Sequence, residues 1–165
     1  MVTLRAAVAV LLAVAGIAGG FVAFDELSAL DAPDRTTVTV VDEDGSTLGA
    51  VEVRVADTFR ERYTGLSDTE SLGPNEGMLF VHDAEGEYAY VMRDMAFPID
   101  IVFVGANRTI TAVHHAETEE RPLTRYRGTG RYVLEVPYGW TTEHGVRAGD
   151  RVRIEWSGAD GTDGP

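Results

Sequence analysis

The sequence predicts an all-β fold, a mostly antiparallel sandwich or barrel with one or two short helices, behind an apolar N-terminal helix. Short stretches rich in valine, isoleucine and threonine alternate with polar residues, and turn-forming residues separate them at short intervals. The chain of 165 residues divides into an apolar segment (1–24), a polar linker (25–36), a β domain (37–156) and a polar, disordered tail (157–165).

The N-terminal segment contains an uncharged apolar run of 19 residues, 6–24. A helix of that length spans about 28 Å, close to the thickness of the hydrocarbon core of a bilayer. Arg5 before the run, with Asp25 and Glu26 after it, predicts a cytoplasmic N-terminus and an exterior β domain. Two interpretations stay open, a cleaved signal peptide and a transmembrane anchor. The length of the run and the lack of a clear small-residue cleavage motif favour the anchor.

The first half of the β domain reads as a hairpin followed by a helix. Residues 37–41 and 47–55 are strand-like, and the acidic, glycine-containing turn 42–45 connects them. Residues 58–65 form the predicted helix, because Thr58 begins a capping box that ends at the glutamate three residues later. This helix is only about two turns long.

The second half of the β domain reads as further short strands. A turn is predicted at 83–86, an arginine-rich loop at 116–130 and a helical turn at 138–144. No alternation of strands and helices typical of a parallel α/β sheet is seen. The predicted strands are 77–81, 88–92, 99–104, 108–115, 132–136 and 152–156.

The composition is strongly acidic. The chain has 27 acidic and 14 basic residues, for a net charge of −13, and every basic residue is arginine. Such a surface repels phosphate backbones, so we expect no nucleic-acid partner. An acid-rich, lysine-free composition is typical of proteins from salt-loving archaea, where salt screens the repulsion between carboxylates. An ordinary acidic protein from a GC-rich genome is the alternative.

Five blocks of the sequence together resemble the family known as Domain of Unknown Function 192, over about residues 47–155. The resemblance implies a β-rich, jelly-roll-like fold and no established activity. The chain departs from the family pattern at residues 93–95, where relatives often carry Lys-Asn-Thr, so a ligand bound there in relatives would differ here. The blocks are TFRERYTGL (58–66), EGMLFV (76–81), MRDMAFPIDIVFV (92–104), RYVLEVP (131–137) and HGVRAGDRV (144–152).

The best candidate for a binding site is the segment 92–100. Arg93 and Asp94 lie in a predicted loop, and Asp100 interrupts the most apolar strand of the chain. A buried carboxylate without a partner costs several kcal/mol, so we expect Asp100 to pair with Arg62 or Arg93. We predict that these four residues meet at one end or face of the domain and bind a ligand. The alternative is a stabilising ion pair, or a carboxylate that accepts hydrogen bonds from loop amides.

Other kinds of site receive little support. Adjacent residues of a strand face opposite sides, so at most one of His114 and His115 could join Glu117, and zinc needs three or four converging ligands. The chain has no cysteine and no Gly-x-Ser-x-Gly motif, which excludes disulfides and thiol nucleophiles and gives no sign of a serine hydrolase. We therefore expect no metal and no cofactor.

Asn107 begins an N-x-T sequon on a predicted turn and is a candidate for glycosylation. The leading hypothesis for function is a membrane-anchored module facing the cell exterior, or a secreted one, that binds a small polar ligand or another envelope component without catalysis. The alternatives are a hydrolase-like enzyme with carboxylates and arginines in its site, acting on an extracellular substrate, and a structural accessory domain. Convergence of Arg93, Asp94 and Asp100 in a concave pocket would favour the hydrolase-like enzyme.

Overall fold

In the computed structural model, residues 34–156 are described, and the predicted N-terminal segment and C-terminal tail lie outside this range. No helix within residues 34–156 is long and apolar enough to cross a membrane. The strands are β1 (Arg35–Val41), β2 (Thr47–Ala56), β3 (Glu76–Tyr90), β4 (Ile99–Val104), β5 (Ile110–Ala116), β6 (Tyr126–Pro137) and β7 (Arg151–Glu155), and the helices are α1 (Phe59–Thr64) and α2 (Trp140–Glu143).

The strands form one mixed sheet in the order β5-β4-β6-β3-β2-β1-β7. The predicted all-β, mostly antiparallel class is confirmed, because every strand pair except β2–β3 is antiparallel. The parallel pair was not predicted. It arises because α1 and the loop after it carry the chain back along the sheet between β2 and β3, as a single crossover.

The two edge strands of the sheet approach each other, so the sheet curls toward a barrel. Thr109, next to β5, forms an isolated antiparallel bridge with Arg151 of β7. The amide of Ile110 donates to the carbonyl of Asp150 at 2.8 Å, and the amide of Val152 donates to the carbonyl of Arg108 at 2.8 Å. This closure satisfies backbone groups that an open sheet would leave unpaired at its edges.

Two hydrophobic clusters lie on opposite faces of the curled sheet. The inner cluster takes side chains from all seven described strands, including Leu79, Val102 and Leu134. The outer cluster takes side chains from strands β2 to β6, and Leu66 and Met92 from the loops cover it. Because side chains alternate along a strand, neighbouring residues of β4 and β6 belong to different clusters.

The helix α1 begins where the capping box predicted. The Thr58 side chain accepts a hydrogen bond from the amide of Glu61, and the Glu61 side chain accepts one from the amide of Thr58 at 3.0 Å. Gly65 closes the helix with φ of 54°, a conformation that favours glycine. This part of the fold is local, and the sequence pattern was sufficient to predict it.

The arms of β3 and β6 differ from the prediction. The predicted turn at 83–86 is an irregularity within one long strand, β3, and β6 begins at Tyr126, inside the predicted loop 116–130. The two arms pair with each other from Gly86 to Tyr90. A Cβ at Gly128 would overlap the ring of Phe103, so only glycine lets this arm lie on the outer cluster. Pairing between distant segments decided both strands, and no local pattern contains it.

Candidate functional site

A pocket of about 270 Å³ opens on the outer face of the sheet, where α1 and its following loop lie beside β3 and β6. Aromatic rings of β3 form much of its wall. A small concave site that combines aromatic walls with a few convergent polar groups is the usual form of a small-molecule site. The charged and polar side chains of its lining include Arg62, His82, Tyr90, Arg93 and Glu135.

Glu135 is the buried acid of this pocket. In β6 the side chains of Leu134 and Val136 enter the inner cluster, so that of Glu135 lies on the outer face, between Met78 of β3 and Ile101 of β4. The residue is 6% exposed, and it makes no side-chain hydrogen bond or ion pair with any residue in 34–156. Burial raises the pKa of the Glu135 carboxyl group from its ordinary 4.5 to about 8. The group is therefore mainly protonated at neutral pH.

His82 and Tyr90 form a hydrogen-bonded pair on the wall of the pocket. Their Nε2 and hydroxyl oxygen are 3.0 Å apart, and the imidazole stacks on Tyr88 with ring centres 3.6 Å apart. Burial, assisted by the charge of Arg62, lowers the pKa of His82 to about 4. Burial, assisted by the carboxylate that Glu135 becomes above its own pKa, raises the pKa of the Tyr90 hydroxyl group. Both side chains are therefore neutral at pH 7.

Main-chain carbonyl groups hold the two arginines of the pocket. Nη1 of Arg62 donates to the carbonyl oxygens of Asp57 and Val81, the latter at 2.8 Å. Nη2 of Arg93 donates to the carbonyl of Tyr63, and its guanidinium lies 4.2 Å from the centre of the Tyr63 ring. These contacts fix the positions of both side chains and leave their charges without a buried counter-ion.

Asp100 lies on the opposite face of the sheet. Its carboxylate is fully buried and accepts hydrogen bonds from the amide of Gly139 at 3.1 Å, and from the amide and hydroxyl of Thr141 at 2.9 and 2.6 Å. His115 also contacts this carboxylate, with 2.7 Å between its Nδ1 and Oδ1 of Asp100. The expectation that Asp100 pairs with Arg62 or Arg93 is therefore wrong.

The alternation of side chains explains that error. Ile99 and Ile101 point toward the outer cluster, so the residue between them points to the inner side, away from the arginines. The carboxylate of Asp100 receives the first amides of α2 instead and fixes the chain around that helix. This is the alternative that the sequence left open, a carboxylate that accepts loop amide bonds.

The four predicted site residues thus separate. Arg62 and Arg93 both line the pocket, and their role in binding a ligand stays a prediction. Asp94 lies beside Arg93, with 3.9 Å between Oδ2 and Nε, but its side chain is 77% exposed and does not line the pocket. Asp100 lies behind the sheet. The residue that sequence reasoning missed is Glu135, although it is the one charged residue in the apolar stretch 132–136, the same signal that drew attention to Asp100.

The two adjacent histidines face opposite sides, as the strand pattern predicted. Nε2 of His114 is 2.8 Å from the carbonyl of Arg127, whereas His115 contacts Asp100. Glu117 is paired with neither of them, and its carboxylate lies 3.5 Å from the hydroxyl of Tyr138. Across residues 34–156 no group of three or more histidine, aspartate or glutamate side chains could hold a metal ion.

The Asn107 sequon lies on an exposed turn, as predicted. Its side-chain oxygen accepts a hydrogen bond from the amide of Thr109 at 3.0 Å. Glycosylation at this position stays a prediction.

A curled, nearly closed β domain with one parallel crossover and a pocket on its outer face defines the structural class of this protein. The profile of the DUF192 family, whose description is "Uncharacterized ACR", matches residues 39–154. The chain belongs to this family. No protein of curated function matches the sequence.

Two crystal structures are similar to the domain. One is a proposed transcription regulator from Sinorhizobium meliloti, with a TM-score of 0.68 and 26% identity over 74% of this chain and 95% of that one. The other is a protein of unknown function from Novosphingobium aromaticivorans, with a TM-score of 0.65 and 28% identity over 74% of this chain and 87% of that one. They support the fold and assign no activity to it.

Proposed function

We propose that the domain is a non-catalytic binding module that holds a small polar ligand in the pocket lined by Arg62, Arg93 and Glu135. The observation that carries this proposal is the carboxyl group of Glu135, which is buried at the pocket and has no hydrogen-bonding partner among residues 34–156. Its carboxyl oxygens are not sealed inside the protein but open onto the pocket, where a bound molecule can reach them. A ligand in the pocket would provide the hydrogen-bonding partner that residues 34–156 do not.

The arrangement of the pocket supports binding rather than the hydrolase alternative. The hydrolase hypothesis relied on Asp94 and Asp100, and neither lines the pocket. The pocket volume of about 270 Å³ lies just below the ~300–1,000 Å³ typical of sites for drug-sized molecules. The ligand is therefore a small metabolite or one terminal unit of a larger envelope component.

The proposed location is the cell exterior, with the domain held at the membrane by the apolar run 6–24 or released after its cleavage. Protease added to intact cells should then remove the β domain, and protection would place it in the cytoplasm. The net charge of −13 opposes binding to a phosphate backbone, so we propose no nucleic-acid partner for this chain, although its Sinorhizobium neighbour is a proposed transcription regulator.

Native mass spectrometry of the chain purified from its own source tests the binding proposal. We expect a small molecule to accompany the wild-type domain and to be lost in Glu135→Leu, which removes the hydrogen-bonding capacity of the buried carboxyl group. Glu87→Leu is the matched control, because the Glu87 side chain is 70% exposed and pairs only with the exposed Arg127. That variant should retain the molecule.

If the wild-type domain carries no molecule, and Glu135→Leu only raises the melting temperature without any change in binding to soluble or envelope extracts, the domain is a structural accessory.

A further inference from the structure

The charge state of the pocket is determined by its surroundings. Around Glu135, β4 contributes apolar side chains only, and at pH 7 burial keeps the acid itself, His82 and Tyr90 neutral. The two arginines are then the charged groups of the pocket lining. The titratable and charged side chains that line it are Arg62 and Tyr63 of α1, His82, Tyr88 and Tyr90 of β3, Arg93 of the following loop and Glu135 of β6.

The arginines also keep hydrogen-bond donors for a ligand. Nε and Nη2 of Arg62, and Nη1 of Arg93, have no hydrogen-bonding partner among residues 34–156, while other nitrogens of the same groups are fixed by carbonyl oxygens. A guanidinium that is already held in position loses less conformational entropy when it binds a carboxylate. In a chain with net charge −13, this pocket is a local positive site.

We propose that the pocket binds a small organic carboxylate, whose acid group is held by the Arg62, Arg93 and Glu135 side chains of the lining, and whose apolar body packs against the aromatic wall. This inference rests on the proposed function and names the class of its ligand. Glu135 acts here as a hydrogen-bond donor, as a neutral carboxylic acid can in an apolar site. A cationic ligand would meet two arginines and a neutral acid, and would be excluded.

Three probes of similar size test the charge preference. Benzoate, benzamide and benzylammonium share one aromatic ring and differ in the charge of the attached group. In ligand-observed NMR titrations at pH 7 and fixed sodium chloride, we expect benzoate to bind at least roughly tenfold more tightly than benzamide, a difference of about 1.4 kcal/mol. Benzylammonium should not bind. Arg93→Gln should weaken benzoate binding roughly tenfold, and Arg127→Gln, an exposed arginine outside the pocket, should not change it.

The pH dependence tests the role of Glu135. Between pH 7 and pH 9 the Glu135 side chain passes from acid to carboxylate, because its pKa is about 8, whereas His82, whose pKa is about 4, stays neutral throughout. Since only the protonated form donates to the ligand, wild-type affinity for benzoate should fall about tenfold over this range. Glu135→Gln keeps a neutral donor, so it should bind benzoate at pH 7 and lose most of the pH dependence. The matched control Glu87→Gln should keep it.

The outcomes separate the two proposals. Preferential binding of benzylammonium or benzamide, or benzoate binding that strengthens toward pH 9, would overturn the carboxylate assignment and leave a ligand-binding pocket. If none of the probes binds at about 10 mM, the molecule found by native mass spectrometry decides: an organic acid supports the assignment, and a cation or a neutral molecule overturns it. If no molecule is found either, both proposals fail.

Discussion

Asp100 and Glu135 lie on neighbouring strands of one sheet, and both are buried acids, yet their surroundings are opposite. The carboxylate of Asp100 accepts three hydrogen bonds from Gly139 and Thr141 and contacts His115 on the inner side. The carboxyl group of Glu135 has no such partner on the outer side. Burial alone therefore does not distinguish a structural acid from a candidate ligand-binding one. The hydrogen bonds around the group do.

The largest difference is expected for Asp100→Ala. This change removes the acceptor for two amides and a hydroxyl at the start of α2 and leaves them buried. Loss of one partner from a buried charged network costs about 3–5 kcal/mol. Urea unfolding at pH 7 measures it, with Glu87→Ala as the exposed control. A loss below about 1 kcal/mol would mean that water replaces the carboxylate and that the two acids are alike.

The second effect is the pH dependence of stability that Glu135 contributes. Its pKa is raised from 4.5 to about 8 in the folded domain, so the folded state holds a proton that the unfolded chain releases. Its stabilising contribution is complete below pH 4.5 and is lost as the pH rises through 8. Glu135→Gln should therefore reduce the fall in the free energy of unfolding between pH 6.5 and 8.5 by about 2 kcal/mol.

The chosen pH range separates Glu135 from the neighbouring histidine. The pKa of His82 is lowered to about 4, so its stabilising contribution is present above pH 6.5 and is lost as the pH falls through 4. Above pH 6.5 the change in the free energy of unfolding with pH therefore contains no contribution from His82. Denaturant titrations of the wild type, Glu135→Gln and Glu87→Gln give the three slopes. If the free energy of unfolding changes with pH equally in Glu135→Gln and in the wild type, the carboxyl group of Glu135 is ionised in the folded domain.

A smaller effect is expected at Thr141, where the hydroxyl donates to Asp100 at 2.6 Å and the residue is 1% exposed. Thr141→Val keeps the shape and removes the donor, so we expect a loss of about 1–2 kcal/mol in the free energy of unfolding. Thr141→Ser, which keeps the hydroxyl, should lose less. The reverse order of the two variants would assign the stability of this region to packing rather than to hydrogen bonds.

The smallest effect is expected at His115. Its side chain is 46% exposed, so water can replace it beside Asp100. His115→Ala should cost only about 0.5–1 kcal/mol by thermal or urea unfolding at pH 7. Because the amides of α2 satisfy Asp100 from the buried side, the structural role of this acid should survive the change. A loss as large as that of Asp100→Ala would instead make His115 the main partner.

Much of the fold was predictable because it depends on local patterns. Alternation predicted the hairpin of β1 and β2, the capping box predicted α1, and the apolar run predicted β4. Alternation also placed His114 and His115 on opposite faces. The long arms of β3 and β6 and the parallel β2–β3 pair were not predicted, because each depends on which distant segment becomes a neighbour.

The sequence by itself determined that two acids interrupt apolar strands and that arginines stand near one of them along the chain. Only the tertiary structure decided which acid shares a pocket with those arginines. In β4 the alternation sends Asp100 inward toward α2, and in β6 it sends Glu135 outward into the pocket that the arginines also line. The alternation of side chains along a strand fixes that neighbouring residues face opposite sides of the sheet. The packing of α1 and its loop on one of these sides decides where the pocket lies.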